Sequence, residues 1–164
     1  HFSYREVMLE EYNCIELGEI LEAKVSSMTN RAAFLRYKAL TLRCTVIETT
    51  NSYIKSIKEY FKVGDCIQVK VISKDDSTYF IECSFKACCP DTIDDYKIGQ
   101  IVTGKVTGPV ETKDGYFIEL SPTVLGIMDA DFPIEYGKFV VCRVRSKKDV
   151  GLKLAFYSWP SKMP

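Results

Sequence analysis

The chain has 164 residues, of which 46% are apolar, and its 22 Lys plus Arg against 22 Asp plus Glu leave no net formal charge. That length holds one ordinary domain or two small ones around a buried core, and no apolar run approaches the roughly 18 residues of a membrane-spanning helix. The balance excludes a nucleic-acid partner recruited by bulk charge, but the distribution does not: residues 1–96 carry 12 basic and 15 acidic side chains, whereas 97–164 carry 10 basic and 7 acidic.

In chain order, residues 1–15 open in mid-pattern with Phe2, Tyr4, Val7 and Leu9 and are expected to be the upstream segment of a longer chain. Gly18 to Val25 then begins a strand, and Ala33 to Tyr37 a second. Behind the potential caps Asn51 and Ser52, residues Ile54, Ile57 and Phe61 stand at the i, i+3, i+7 spacing of a short helix. Val63-Gly64-Asp65 turns into a strand from Ile67 to Val71, and Asp75-Asp76-Ser77 turns into a closing strand from Tyr79 to Phe85. Ala87 to Tyr96, with Pro90 and three aspartates, follows neither periodicity and reads as a linker.

From Gly99 the same series returns in the same order. Gly99 to Val106 matches Gly18 to Val25, Tyr116 to Leu120 parallels Ala33 to Tyr37 after the Asp114-Gly115 turn, and Val140 to Val144 parallels Ile67 to Val71. A last alternating strand runs from Gly151 to Tyr157. The predicted fold is all-β: two tandem five-stranded OB-type barrels over 16–86 and 97–157, a linker at 87–96 and a tail at 158–164. Each has at most a short helix between its third and fourth strands, and closure removes exposed sheet edges.

Seven cysteines without framework spacing imply reduced thiols. Cys83, Cys88 and Cys89 lack paired C-x2-C spacing and His1 is the lone histidine, so no metal and no other cofactor is expected. There is no Gly-rich phosphate loop and no Ser or Cys set beside a base in a catalytic motif, so no catalytic residue is assigned and the chain does not read as an enzyme. The pair Asp75 and Asp76 is most simply a turn.

Strand parity locates the outward side chains. In the second half Tyr116, Ile118 and Leu120 alternate inward and leave Phe117 and Glu119 outward. Val140, Cys142 and Val144 go inward and leave Arg143 and Arg145 outward, near Lys147, Lys148 and Lys153. A charge run alone fits a solvated face, but an outward aromatic beside cations is what single-stranded nucleic acid requires, bases stacking on the ring while cations track the backbone. In the first half Phe34 and Arg36 point outward with Arg31 and Lys70 nearby, yet Glu10, Glu11, Glu16, Glu19 and Glu22 repel phosphate, so that half suits a protein contact better.

The openings Gly18 to Val25 and Gly99 to Val106, the aromatic strands Ala33-Phe34-Leu35 and Gly115 to Ile118, and the run Lys62 to Ile72 closed by Ile81 to Lys86 resemble the S1 domain, a family first described in a ribosomal protein. The likeness covers 16–86 and 97–157. It implies RNA lying across strands two and three, met by two aromatics on strand two, a histidine ending strand three, and an Asp and an Arg near the last hairpin. By that resemblance Phe34 and Phe117 keep one aromatic, while Arg31 and Asp114 replace the other. Val46 or a neighbour and Asp129 take the histidine position, Asp75 and Lys147 the acidic one, and Phe80 and Gly151 the arginine one.

Tandem copies on a short linker in a cysteine-rich chain resemble most the multi-S1 ribosomal RNA-processing factors of eukaryotic nucleoli. That likeness implies a nuclear or nucleolar protein, the cytoplasm being the alternative. The expected function is a non-catalytic single-stranded RNA-binding module of a larger RNA-processing or ribosome-biogenesis protein. RNA is expected on the second barrel through Phe117, Arg143, Arg145, Lys147 and Lys153, with Phe34, Arg36 and Lys70 a weaker set on the first. The alternative is a protein-interaction scaffold within a ribonucleoprotein complex; protein partners are expected on the first barrel and no membrane contact on either.

Overall fold

Ten strands close into two five-stranded barrels in the computed structural model, which describes residues 3–148 and 151–161. The described residues fall into two compact units, one running to Cys89 and the other from Pro90, with 51–53 counted to the second.

In the first barrel β1 (Ile20–Met28), β2 (Ala32–Tyr37), β3 (Leu40–Thr45), β4 (Cys66–Asp75) and β5 (Phe80–Ser84) pair in the order β1-β2-β3-β5-β4. The ring closes through the antiparallel β1–β4 ladder, and only β3 and β5 run parallel. Alternation sends Leu21, Ala23 and Val25 inward from β1 to meet Leu35, Leu42, Val69, Val71 and Ile81, the period-2 pattern of a sheet with one buried face. Ile54, Ile57 and Phe61 are all buried, and Ile57 and Phe61 join this core. Their segment, however, forms a single 3-10 turn, Ile57–Glu59, capped by Ser56 rather than by Asn51 or Ser52. Ser56 Oγ accepts from Lys58 N, and the Glu59 carboxylate accepts from Ser56 N at 3.1 Å, a capping box that starts the turn later than apolar spacing suggests.

Helix α1 (Tyr4–Cys14), which the sequence reading did not foresee, belongs to the first unit. Ser3 and Glu6 form its capping box, and it has no wide apolar stripe; Tyr12 is its one buried residue. The Tyr12 hydroxyl donates to Asp76 Oδ1 at 2.8 Å, and its ring stands edge-on to Tyr79 at 5.3 Å. Lys74 Nζ lies 4.2 Å from that ring and donates to the carbonyls of Tyr12 (2.9 Å) and Ile15 (2.7 Å), serving the helix end where backbone acceptors lack partners. Tyr4 and Glu11 grip the backbone of Ala39 in the β2–β3 turn. The Asp75-Asp76-Ser77 turn is held by Asp75 Oδ1, which accepts from Ser77 N and Oγ, and those bonds keep the Asp75 carboxyl below the usual range.

The second barrel repeats the strand order with β6 (Ile101–Pro109), β7 (Gly115–Ser121), β8 (Val124–Asp129), β9 (Phe139–Lys148) and β10 (Gly151–Ser158); β8 and β10 are its parallel pair. Val106, Ile118, Val124, Met128, Val140, Cys142, Val144, Leu152 and Leu154 fill it. No helix stands between β8 and β9 among the described residues. Between β5 and β6 the chain makes two 3-10 turns, Lys86–Cys88 and Ile93–Asp95. Cys44, Cys83 and Cys142 are buried as small core side chains, and burial pushes the Cys142 thiol up to about 11.

Candidate nucleic-acid interface

Cross-strand register decides which outward side chains become neighbours. Phe117 on β7 stands opposite Ile127 on β8, Ile127 opposite Lys153 on β10, and Lys153 opposite Ser146 on β9. The intervening residues Ile118, Met128, Leu152 and Leu154 are buried, so this row lies on the barrel's outside while the core holds the strands beneath it. Around the row is a hollow of about 230 Å³. Phe117, Leu125, Ile127 and Leu152 give it apolar walls, and Lys113, Lys148 and Lys153 supply its cations. Lys153 also borders an adjoining hollow of about 590 Å³ with Asp129, Arg145 and Ser146. Asp129 joins the two: its Oδ1 is 3.5 Å from Lys113 Nζ and its Oδ2 is 3.7 Å from Lys153 Nζ.

Strand parity is correct for β9, where Val140, Cys142 and Val144 are buried and Arg143 and Arg145 are exposed. The five residues expected to act together on this barrel do not form one cluster. Phe117 and Lys153 share the first hollow, and Arg145 borders the second. Arg143 instead stands opposite Ile101 on β6 with its guanidinium 5.4 Å from the Tyr157 ring, and it borders neither hollow. Lys147, exposed and opposite the buried Leu152, borders neither as well.

Two further readings need correction. Glu119 does not point into solvent: it is 9% exposed, flanked in register by Lys105 and Leu125, two long side chains on the strands to either side. The position matching Asp75 is Lys148, not Lys147, because Asp75 pairs with Phe80 as Lys148 pairs with Gly151. Lys147 corresponds to Lys74, since each stands opposite the buried apolar residue that follows. Lys113 was missed altogether. Its place just before the Asp114-Gly115 turn was the available signal, because a hairpin end returns to the sheet face that the strands flank.

The first barrel carries the equivalent row with different chemistry. Phe34 is half-buried and outward, opposite Arg43, which is opposite Glu82, which is opposite Ser73. Arg43 and Glu82 form an ion pair, and the guanidinium lies 4.9 Å from the Phe80 ring. Arg43 is thus engaged twice within its own barrel where the second barrel has Ile127 and an outward Lys153. Arg36 is exposed opposite Lys24 and Thr41, and Lys70 stands opposite Ile20 and Ser84, two strands round the barrel from Phe34. Phe34, Arg36 and Lys70 are therefore not one site.

Residues 15–84 match the family described as the S1 RNA binding domain. Among curated proteins the chain is similar to small ribosomal subunit protein bS1 of Staphylococcus saprophyticus, 26% identical over 128 residues, which is 76% of this chain and 31% of that protein. It is also similar to the YabR protein of Bacillus subtilis, 37% identical over 60 residues, covering 36% of this chain and 47% of that one. The chain thus spans less than half the length of either relative. The solution structure of GSP13 from Bacillus subtilis aligns with 51% of this chain and 65% of its own, at 26% identity and a TM-score of 0.44. Residues of the first barrel thus match the S1 RNA binding domain model, and the second barrel repeats the same strand order as a tandem OB-type barrel.

Proposed function

We propose that this chain is a non-catalytic single-stranded RNA-binding module of a larger RNA-processing or ribosome-biogenesis protein, with the second barrel as its RNA surface. The observation that carries the reading is the hollow in which Phe117 offers a stacking face and Lys113, Lys148 and Lys153 offer cations for phosphate. The S1 match of the first barrel supports nucleic-acid binding as the module's class. The first barrel serves protein contact in this proposal, because the Arg43–Glu82 pair occupies its cation beside Phe34. A nucleolar setting is proposed on the tandem arrangement and the cysteine-rich composition.

The test is fluorescence anisotropy with a short labelled RNA strand at two salt concentrations. Phe117→Ala is expected to weaken binding by about 1–3 kcal/mol, the cost of one lost stacking contact. Lys148→Ala and Arg145→Ala are each expected to lower the salt slope by about 0.7, one phosphate contact on a single strand. Phe34→Ala and Arg143→Ala should change little. Binding that Phe34→Ala abolishes and Phe117→Ala spares would move the site to the first barrel. Wild-type protein with no salt-sensitive binding would leave the protein-scaffold reading in its place.

A further inference from the structure

We infer that Asp129 makes the second barrel selective for guanine, reading the Watson–Crick edge of a base stacked on Phe117; this rests on the RNA reading above. Asp129 ends β8 on the same outward face as Ile127, two residues along, and its register partner on β7 is Gly115, which has no side chain to fill the space between. Phe117 is therefore its diagonal cross-strand neighbour, a separation of about 7–8 Å. A base lying on the Phe117 ring spans that distance, with its edge directed at the carboxylate.

The carboxylate is available to a ligand. Its side chain is 54% exposed, and the lysine nitrogens at 3.5 and 3.7 Å stand beyond the about 2.7–2.9 Å of a formed charge-assisted hydrogen bond. An ionised Asp offers only acceptors. Guanine presents two adjacent donors on its Watson–Crick edge, N1–H and the N2 amino group, which match two carboxylate oxygens. Uracil sets its one N–H between two carbonyl acceptors, and cytosine and adenine set their amino group beside a ring-nitrogen lone pair, so each brings repulsion with its single donor. The side chains lining the stacking hollow are apolar or lysine, and Asp129, on the wall of the adjoining hollow, adds the acceptor they lack. Lys113 and Lys153 offset its repulsion of phosphate. In the first barrel the corresponding position, opposite Ala32 as Asp129 is opposite Gly115, is Thr45, which has no carboxylate.

The experiment measures anisotropy of the full chain with a short labelled uridine strand carrying one central guanine, adenine, cytosine, uracil or inosine. Wild type should bind the guanine strand about tenfold more tightly than the adenine, cytosine and uracil strands, a difference of about 1.4 kcal/mol. Inosine, which lacks the N2 amino group, should fall between. Asp129→Asn should bring all strands to within about twofold of one another, because the amide replaces one of the two acceptor oxygens with a donor. Equal, salt-sensitive wild-type binding to every strand would overturn the selectivity while leaving the RNA reading standing, as would a guanine preference that survives Asp129→Asn. Absence of salt-sensitive binding would overturn the RNA reading itself.

Discussion

Tyr12→Ala should cost the first barrel about 3–5 kcal/mol of unfolding free energy, the range for removing a large buried aromatic side chain. Tyr12 is 1% exposed, and its removal takes with it the edge contact to Tyr79, the Lys74 ammonium over its ring and the hydrogen bond to Asp76. Since Tyr12 is the one buried residue of α1, nothing else on the helix replaces that anchor. Urea unfolding followed by far-ultraviolet circular dichroism measures it, and a wild-type midpoint would show that α1 adds nothing to the barrel. Tyr12→Phe isolates the hydroxyl. Losing one hydrogen bond should cost about 0.5–1.5 kcal/mol near neutral pH.

The Tyr12 phenol is pushed up to about 12 from an ordinary 10, first by burial, then by its hydrogen bond to Asp76 and by the charges of Asp76 and Asp75. The fold thus favours the neutral phenol. Its contribution to stability is complete below pH 10 and is lost as pH climbs through about 12. An alkaline titration of stability should show that decline in wild type and lack it in Tyr12→Phe.

Gly104→Ala should cost the second barrel about 3 kcal/mol, the upper part of the range for overpacking a filled core. A Cβ at this inward position of β6 would stand 2.4 Å from Ile118 Cγ2, 2.8 Å from Leu120 Cδ2 and 3.0 Å from the backbone oxygen of Glu119. The first barrel holds the buried Ala23 at the equivalent site, with Leu35 standing where the second barrel has Ile118. Leucine lacks the branch methyl at Cβ that Ile118 places in the way. Combining Gly104→Ala with Ile118→Leu should therefore recover part of the loss, with a coupling of about 0.5–3 kcal/mol between these touching positions. Trp159, the lone tryptophan, lies 5.2 Å from the Phe156 ring in this barrel, so its fluorescence in urea reports the transition. Additive costs in the double variant would sink the steric account.

Much of the candidate site was legible because alternation is local. Given that Ile118, Val140, Cys142 and Val144 are apolar, the strand period alone assigns Phe117, Arg143 and Arg145 to the outside. It failed at Glu119, whose exposure depends on the lengths of Lys105 and Leu125 on two other strands rather than on its own neighbours. Helix α1 was hidden because a helix anchored by one buried tyrosine has no apolar stripe, and its partners Ala39, Lys74 and Asp76 are distant in the chain.

That there are two barrels, and that Arg143 and Arg145 of β9 face out, can be read along the chain alone, since repetition and period-2 alternation express those features within a few residues. Which outward residues meet is set by the pairing of distant strands. Parallel pairing of β8 with β10 brings Lys153 beside Ile127 and so to Phe117, while Arg143 is carried round to Tyr157 and Ile101. The same register sets Arg43 against Glu82 in the first barrel and leaves Lys153 against Ile127 in the second. A closed barrel couples strands far apart in sequence through backbone hydrogen bonds, and the register of that coupling, which side-chain pattern does not encode locally, selects the neighbours of every outward charge.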